Sequence, residues 1–115
     1  MIQEIMDWKK FEQGVEIILK QIKNSNNKFS GVYGIPRGGL ILAVRLSHLL
    51  GLPLLEKLKE NSLVVDDVAD TGKTLQPFRD YKLATLYLKE QSLVKPDFYA
   101  FTTDLWVVFP WENSI

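Results

Sequence analysis

Leu63-Val64-Val65-Asp66-Asp67-Val68-Ala69-Asp70-Thr71-Gly72-Lys73-Thr74-Leu75 is the stretch whose reading decides the fold. Its apolar, β-branched start predicts a buried strand. The strand is expected to end at the two adjacent carboxylates. An Asp70-Thr71-Gly72 turn follows, and then a helix that starts at Lys73 or Thr74. Strand, loop and helix N-terminus bring backbone N–H groups together on an anion. The carboxyl end of a strand is also where open α/β sheets bind ligands. The N–H groups of Asp70 to Thr74, the hydroxyls of Thr71 and Thr74 and the missing side chain of Gly72 all suit a phosphate. Asp66 and Asp67 suit the vicinal hydroxyls of a sugar. A phosphorylated ribose carries both groups.

Two other readings of the stretch compete. Gly72-Lys73-Thr74 matches the last three positions of the ATP-binding loop G-x-x-x-x-G-K-[ST], but the first glycine of that pattern would be Asp67. A carboxylate there repels a triphosphate and blocks backbone approach, which excludes an ATP cradle. A plain strand with an Asp-capped helix is the other. Three carboxylates within five residues around a Thr-Gly turn are costly as capping alone.

Complete to the last position, Val64 to Thr74 resembles the phosphoribosyl-pyrophosphate signature of the type I phosphoribosyltransferases. That signature is a short apolar run, two acids, two apolar residues and D/E-T-G-x-T. The resemblance implies a three-layer α/β fold, with a mostly parallel sheet of four or five strands and helices on both faces. It implies that Asp66, Asp67, Asp70, Thr71, Gly72, Lys73 and Thr74 bind the phosphoribosyl group. Mg²⁺ is implied as cofactor, with Asp67 as metal ligand, and Asp70 as general base for the purine N7 proton.

The rest of the chain adds to this outline. At 115 residues it is expected to form one domain, 1–115, and 46% hydrophobic residues suffice for a packed core. With 14 basic and 14 acidic residues and no Lys/Arg block, a nucleic-acid surface has no electrostatic support. The lack of cysteine excludes disulfides and thiolate metal sites. No leader pattern opens the chain and no apolar run reaches membrane-spanning length, so no membrane contact and a cytoplasmic location are expected.

Asp7 is a candidate N-cap for a helix from Trp8 to about Lys23, with Phe11, Val15, Ile18, Leu19 and Ile22 as its apolar stripe. Phe29 to Ile35 reads as a strand. Pro36-Arg37-Gly38-Gly39 then turns into an apolar helix from Leu40 to Leu50, closed by Gly51. Arg37 offers a planar fork for phosphate oxygens. The turn resembles the family's pyrophosphate loop, which implies that Arg37 and Gly38 bind pyrophosphate and that the Pro36–Arg37 peptide is cis. His48, the only histidine, reads as a partly buried structural residue.

Leu52 to Leu55 is a possible short strand, but only about seven residues then lead to Leu63. Joining parallel strands usually takes about a dozen or more. The family carries a long flexible loop at this place, which closes over the diphosphate; here it is reduced. A short helix is expected from Thr74 to Tyr81, with strands at Leu83–Leu88 and Pro96–Phe101.

Lys89, Asp104-x-Trp106 and Pro110-Trp111-Glu112 are similar to the xanthine–guanine branch of the family. This implies that Lys89 contacts the purine 6-oxo group, that Trp106 stacks on the base and that the backbone at Val107 reads the ring edge. The whole resemblance implies a purine phosphoribosyltransferase using phosphoribosyl pyrophosphate and guanine, xanthine or hypoxanthine, and a homo-oligomer. The reduced loop keeps two alternatives open. One is a non-catalytic nucleotide or phosphoribosyl-pyrophosphate binding or regulatory protein. The other is an inactive relative that serves only in assembly.

Overall fold

Near-continuous burial along the apolar runs of the central strands, covered on both faces, builds the main sheet. The computed structural model describes residues 2–112. Its elements are β1 (Gln3–Ile5), α1 (Trp8–Ser25), β2 (Gly31–Gly34), α2 (Gly38–Leu50), β3 (Ser62–Ala69), β4 (Lys82–Leu88), β5 (Phe98–Thr102) and β6 (Trp106–Val108). A four-stranded parallel sheet has the order β2-β3-β4-β5, and β1 and β6 pair in parallel as a second, two-stranded sheet. The fold is the expected α/β sandwich.

Val32, Leu63, Val65, Ala84, Leu86 and Phe98 face one core, shared with Phe11, Val15, Ile18 and Ile22 of α1 and Leu42, Ala43 and Leu46 of α2. Val64 and Leu83 face a smaller core with Ile35, Ala69, Leu75 and Val94. Both long helices therefore cover the same face. The opposite layer is a single 3₁₀ turn, Gln76–Phe78, backed by the loop around Val94.

That turn stands where a helix from Thr74 to Tyr81 is predicted. Pro77 lacks an N–H to donate to the carbonyl four residues back, and its ring crowds that carbonyl. The amides of Phe78, Arg79 and Tyr81 instead bond three residues back, to the carbonyls of Leu75, Gln76 and Phe78. The expected strand at Leu52–Leu55 is likewise reduced, to one parallel bridge between Leu54 and Val32.

This bridge fixes the topology. From β2 the chain runs through α2 to Leu54 on one side of β2, then crosses to β3 on the other side. Strand order reverses between β2 and β3, and that crevice is where doubly wound sheets bind ligands. The loops after β2 and β3 both open into it.

Close backbone approach fixes two glycines there. A Cβ on Gly39 would overlap the Val65 carbonyl oxygen and lie 2.9 Å from the Asp66 Cα. One on Gly38 would meet the Asp67 carboxylate, with its Cγ 2.7 Å away. Gly14, mid-helix in α1, packs on the sheet, where a Cβ would lie 3.0 Å from Leu86 Cδ2.

Asp7 caps α1 as expected, accepting the Lys10 amide at 2.8 Å. His48 differs from expectation: it is exposed in the last turn of α2, because the buried stripe of that helix is Gly39, Leu42, Ala43, Leu46 and Ser47. Gly39→Ala is expected to lower the unfolding free energy by about 2 kcal/mol, measured by urea denaturation. A loss below about 0.5 kcal/mol would contradict the close packing of the two loops.

Candidate functional site

β3 does not stop at the two acids. It runs through Asp66 and Asp67 to Ala69, so both carboxylates project from the strand itself. The Asp66 Oδ1 accepts the amide of Asp67 at 2.8 Å, and the Asp67 Oδ1 accepts that of Val68 at 2.8 Å. Asp66 is buried. Burial, followed by the charge of Asp67, pushes the Asp66 carboxyl far above the usual carboxylate range, to about 8. Asp67 is also raised, by burial first and by the nearby Glu112 charge, against the hydrogen bonds it accepts.

The following loop presents free donors. The amides of Thr71, Gly72 and Thr74 donate to no group among the described residues, whereas Lys73 donates to the Thr71 hydroxyl at 3.2 Å. No helix follows, so the expected helix N-terminus is replaced by turn amides. Asp66 to Gly72, Thr74 and Leu75 line a cavity of about 170 Å³ around them, and the exposed Lys73 side chain stands outside its lining. Gly72 is required for a reason other than ligand approach. Its φ is +89°, and a Cβ would lie 2.7 Å from the Leu93 amide nitrogen.

Across the crevice, the Pro36–Arg37 peptide is cis, as the resemblance implies. Arg37 is exposed and forms no ion pair among the described residues. Arg37, Gly38, Ile41, Asp67, Trp111 and Glu112 surround a cavity of about 690 Å³. A further cavity of about 160 Å³ lies against Asp67, Asp70, Lys89, Trp106, Val107 and Glu112. All three cavities share Asp67, and between them they are lined by the predicted residues other than Lys73.

Lys89 is buried rather than solvated, at 6% exposure. Its Nζ lies 3.3 Å from the Asp70 Oδ2 and 5.7 Å from the centre of the Trp106 ring. Trp106 remains 56% exposed, leaving its indole open to a flat ligand.

The sequence assigns no role to three parts of the site. Gln91 donates to the other Asp70 oxygen at 2.7 Å, so Asp70 is held from two sides. Glu112 caps the last turn through the Phe109 amide at 2.8 Å and borders two of the cavities. β1 pairs with β6, aligning Gln3, Glu4 and Ile5 with Trp106, Val107 and Val108, and so holds the strand that carries the exposed indole. Asp104-x-Trp106 signals the indole; a three-residue strand at the other end of the chain carries no pattern of its own.

Among the described residues no group of three His, Cys, Asp or Glu side chains could hold a metal, and no helix is long and apolar enough to cross a membrane.

No family model matches the chain. It is 25% identical to the xanthine-guanine phosphoribosyltransferase of Gluconobacter oxydans, across 93% of this chain and 83% of that protein. That alignment spans 139 positions against 115 residues here, so the relative carries residues without a counterpart in this chain. The purine phosphoribosyltransferase of Pyrococcus horikoshii is 34% identical, covers 98% of this chain and 96% of its own, and superposes with a TM-score of 0.87. The Helicobacter pylori xanthine-guanine-hypoxanthine phosphoribosyltransferase shares the fold with a TM-score of 0.85 at 19% identity, covering 96% and 94%.

The raised Asp66 carboxyl sets a pH dependence. The folded state holds its proton up to about pH 8, whereas the unfolded chain releases it near its ordinary value of about 4. Stability is therefore full below about pH 4 for this group and falls as pH rises toward 8. Asp66→Asn is expected to gain more than about 1 kcal/mol at pH 9 and to flatten the decline between pH 5 and pH 9 in urea unfolding. An unchanged slope would contradict the burial of an acid that has no cationic partner among the described residues.

Proposed function

The chain belongs to the type I phosphoribosyltransferase family, and on that premise we propose that it transfers 5-phosphoribosyl from phosphoribosyl pyrophosphate to N9 of a 6-oxopurine, releasing pyrophosphate. The observation that carries this reading is the meeting of three cavities at Asp67, each lined by groups of a different chemistry. A donor with a phosphate, a diol and a diphosphate fits two of them, and a flat heterocycle fits the third.

The 5-phosphate takes the free amides of Thr71, Gly72 and Thr74, with the Thr71 and Thr74 hydroxyls and Lys73 at the rim. The ribose hydroxyls donate to Asp66 and Asp67, supplying partners for one buried and one half-buried carboxyl group. Arg37 and the Gly38 amide hold the pyrophosphate. The purine lies on Trp106 with its edge against the Val107 backbone, and Lys89 donates to the 6-oxo oxygen. A cation there disfavours a 6-amino group, which is the basis for guanine, xanthine and hypoxanthine over adenine. Asp70, held by Lys89 and Gln91 between cradle and base cavity, accepts the N7 proton as bond formation at N9 acidifies the ring.

The residues fit Mg²⁺ in the manner this ion favours: one or two carboxylates, with the remaining ligands from substrate oxygens and water. Asp67 is the protein ligand, since its carboxylate faces the Arg37–Gly38 loop. When bound, the ion supplies charge neutralisation to the leaving diphosphate. A homo-oligomer is consistent with Leu40, Val44 and Leu49, which α2 leaves exposed.

One observation favours the second reading, a nucleotide or phosphoribosyl-pyrophosphate binding protein without turnover. The connection Glu56–Asn61 lies at the amino rim of the sheet, where the Ser30 amide donates to the Asn61 carbonyl at 2.9 Å, and so takes no part in the site.

Asp70→Asn is expected to reduce nucleotide formation by about a hundredfold or more while calorimetry shows phosphoribosyl pyrophosphate still bound. Unchanged turnover would remove Asp70 from its assigned role. Lys89→Ala is expected to cut kcat/KM for guanine by about tenfold or more and to weaken adenine less. Equal losses for the two bases would remove Lys89 from base selection.

A further inference from the structure

We propose that, with no purine bound, the same site hydrolyses phosphoribosyl pyrophosphate to ribose 5-phosphate and pyrophosphate. The proposal rests on the substrate reading above and concerns what else that site does.

Solvent reaches the reacting centre. The Asp70 side chain is 37% exposed and Trp106 56% exposed, and both border the cavity assigned to the base. The internal segment that precedes β3 is fixed far from them. The Leu55 amide donates to the Val32 carbonyl at 2.8 Å, the Ser30 hydroxyl to the Glu60 carbonyl at 2.7 Å, and the Lys59 amide to the Ser62 hydroxyl at 2.8 Å. Six residues, 56–61, separate Leu55 from Ser62. Running out and back, they reach at most about 11 Å. The eight steps from Ser62 to Asp70 cover about 26 Å. The segment cannot cover the carboxyl rim without unzipping the sheet.

An enclosed site protects a reactive centre from water. Here the shield over C1′ is the purine itself. Without it, water fills a cavity of about 160 Å³ lined by Asp70 and Lys89. Asp70 is already oriented, with Oδ1 bonded to Gln91 and Oδ2 to Lys89, and each oxygen keeps a lone pair. Water approaches C1′ from the side the purine would occupy. Its oxygen forms the new bond to C1′ as the bond from C1′ to the pyrophosphate oxygen breaks. Pyrophosphate leaves with the bonding pair. The water proton passes to the Asp70 carboxylate and then to solvent. Water is the only co-reactant.

The test follows phosphoribosyl pyrophosphate and Mg²⁺ by phosphorus NMR with the full chain, with and without guanine, against an enzyme-free control. The expected result is ribose 5-phosphate and pyrophosphate without guanine, at no less than about a tenth of the pyrophosphate release seen with it. Guanine diverts the product to nucleotide, and Asp70→Asn loses both reactions. If the donor survives without guanine at the enzyme-free rate while nucleotide forms with guanine, hydrolysis is overturned and transfer stands. If the donor binds by calorimetry and neither reaction occurs, hydrolysis is overturned in favour of the non-catalytic binder. If the donor does not bind at all, the substrate reading falls and hydrolysis with it.

Discussion

Two neighbouring carboxylates on the central strand, at the point where the sheet reverses its strand order, set the terms for the rest of this structure. Burying them raises both and leaves capacity for hydrogen bonds that the protein only partly fills. Asp67 needs space, and Gly38 provides it; β3 must lie against the α2 entry, and Gly39 allows that. In the loop beyond the acids the amides of Thr71, Gly72 and Thr74 have no partner among the described residues. Unfilled acceptors on the strand and unfilled donors on the loop face the same crevice, which is a poor arrangement for stability and a good one for a ligand that bears a diol and a phosphate.

The second sheet completes the crevice from the other end of the chain. β6 brings Trp106 and Val107 beside Asp70 and Lys89, and it is held by β1. Lys10 of α1 pairs with Glu4 of β1 at 2.9 Å, and Trp8, Phe11, Phe109 and Trp111 form an aromatic cluster beneath. The N-terminal helix thus has a part in positioning the base cavity, through packing rather than chemistry. Arg45 and Glu12, with two contacts of 3.0 Å, join α1 to α2 and so link this cluster to the Arg37–Gly38 loop.

Much of this was legible in the residues. The acids, the Thr-Gly turn and the paired glycines are local signals whose chemistry is set by residue type and spacing, and the structure brings them together. Other features depend on partners far along the chain. β1 and β6 are three residues each, too short for a period, and exist because they pair with each other. Gln91 reaches Asp70 only because the loop after β4 folds back on Gly72. Where a helix is expected from Thr74 to Tyr81 a 3₁₀ turn stands, because Pro77 has no amide for the next helical hydrogen bond. The exposure of His48 is not legible in the residues, because α2 is apolar nearly all round and spacing alone does not show which side faces water.

The central claim is tested most directly by a crystal structure of the chain with a bound purine nucleoside 5′-monophosphate. The account predicts the phosphate on the amides of Thr71, Gly72 and Thr74, the ribose hydroxyls on Asp66 and Asp67, and the base over Trp106 with its 6-oxo group at Lys89. A nucleotide seated elsewhere, or one whose phosphate lies away from this loop, would contradict it.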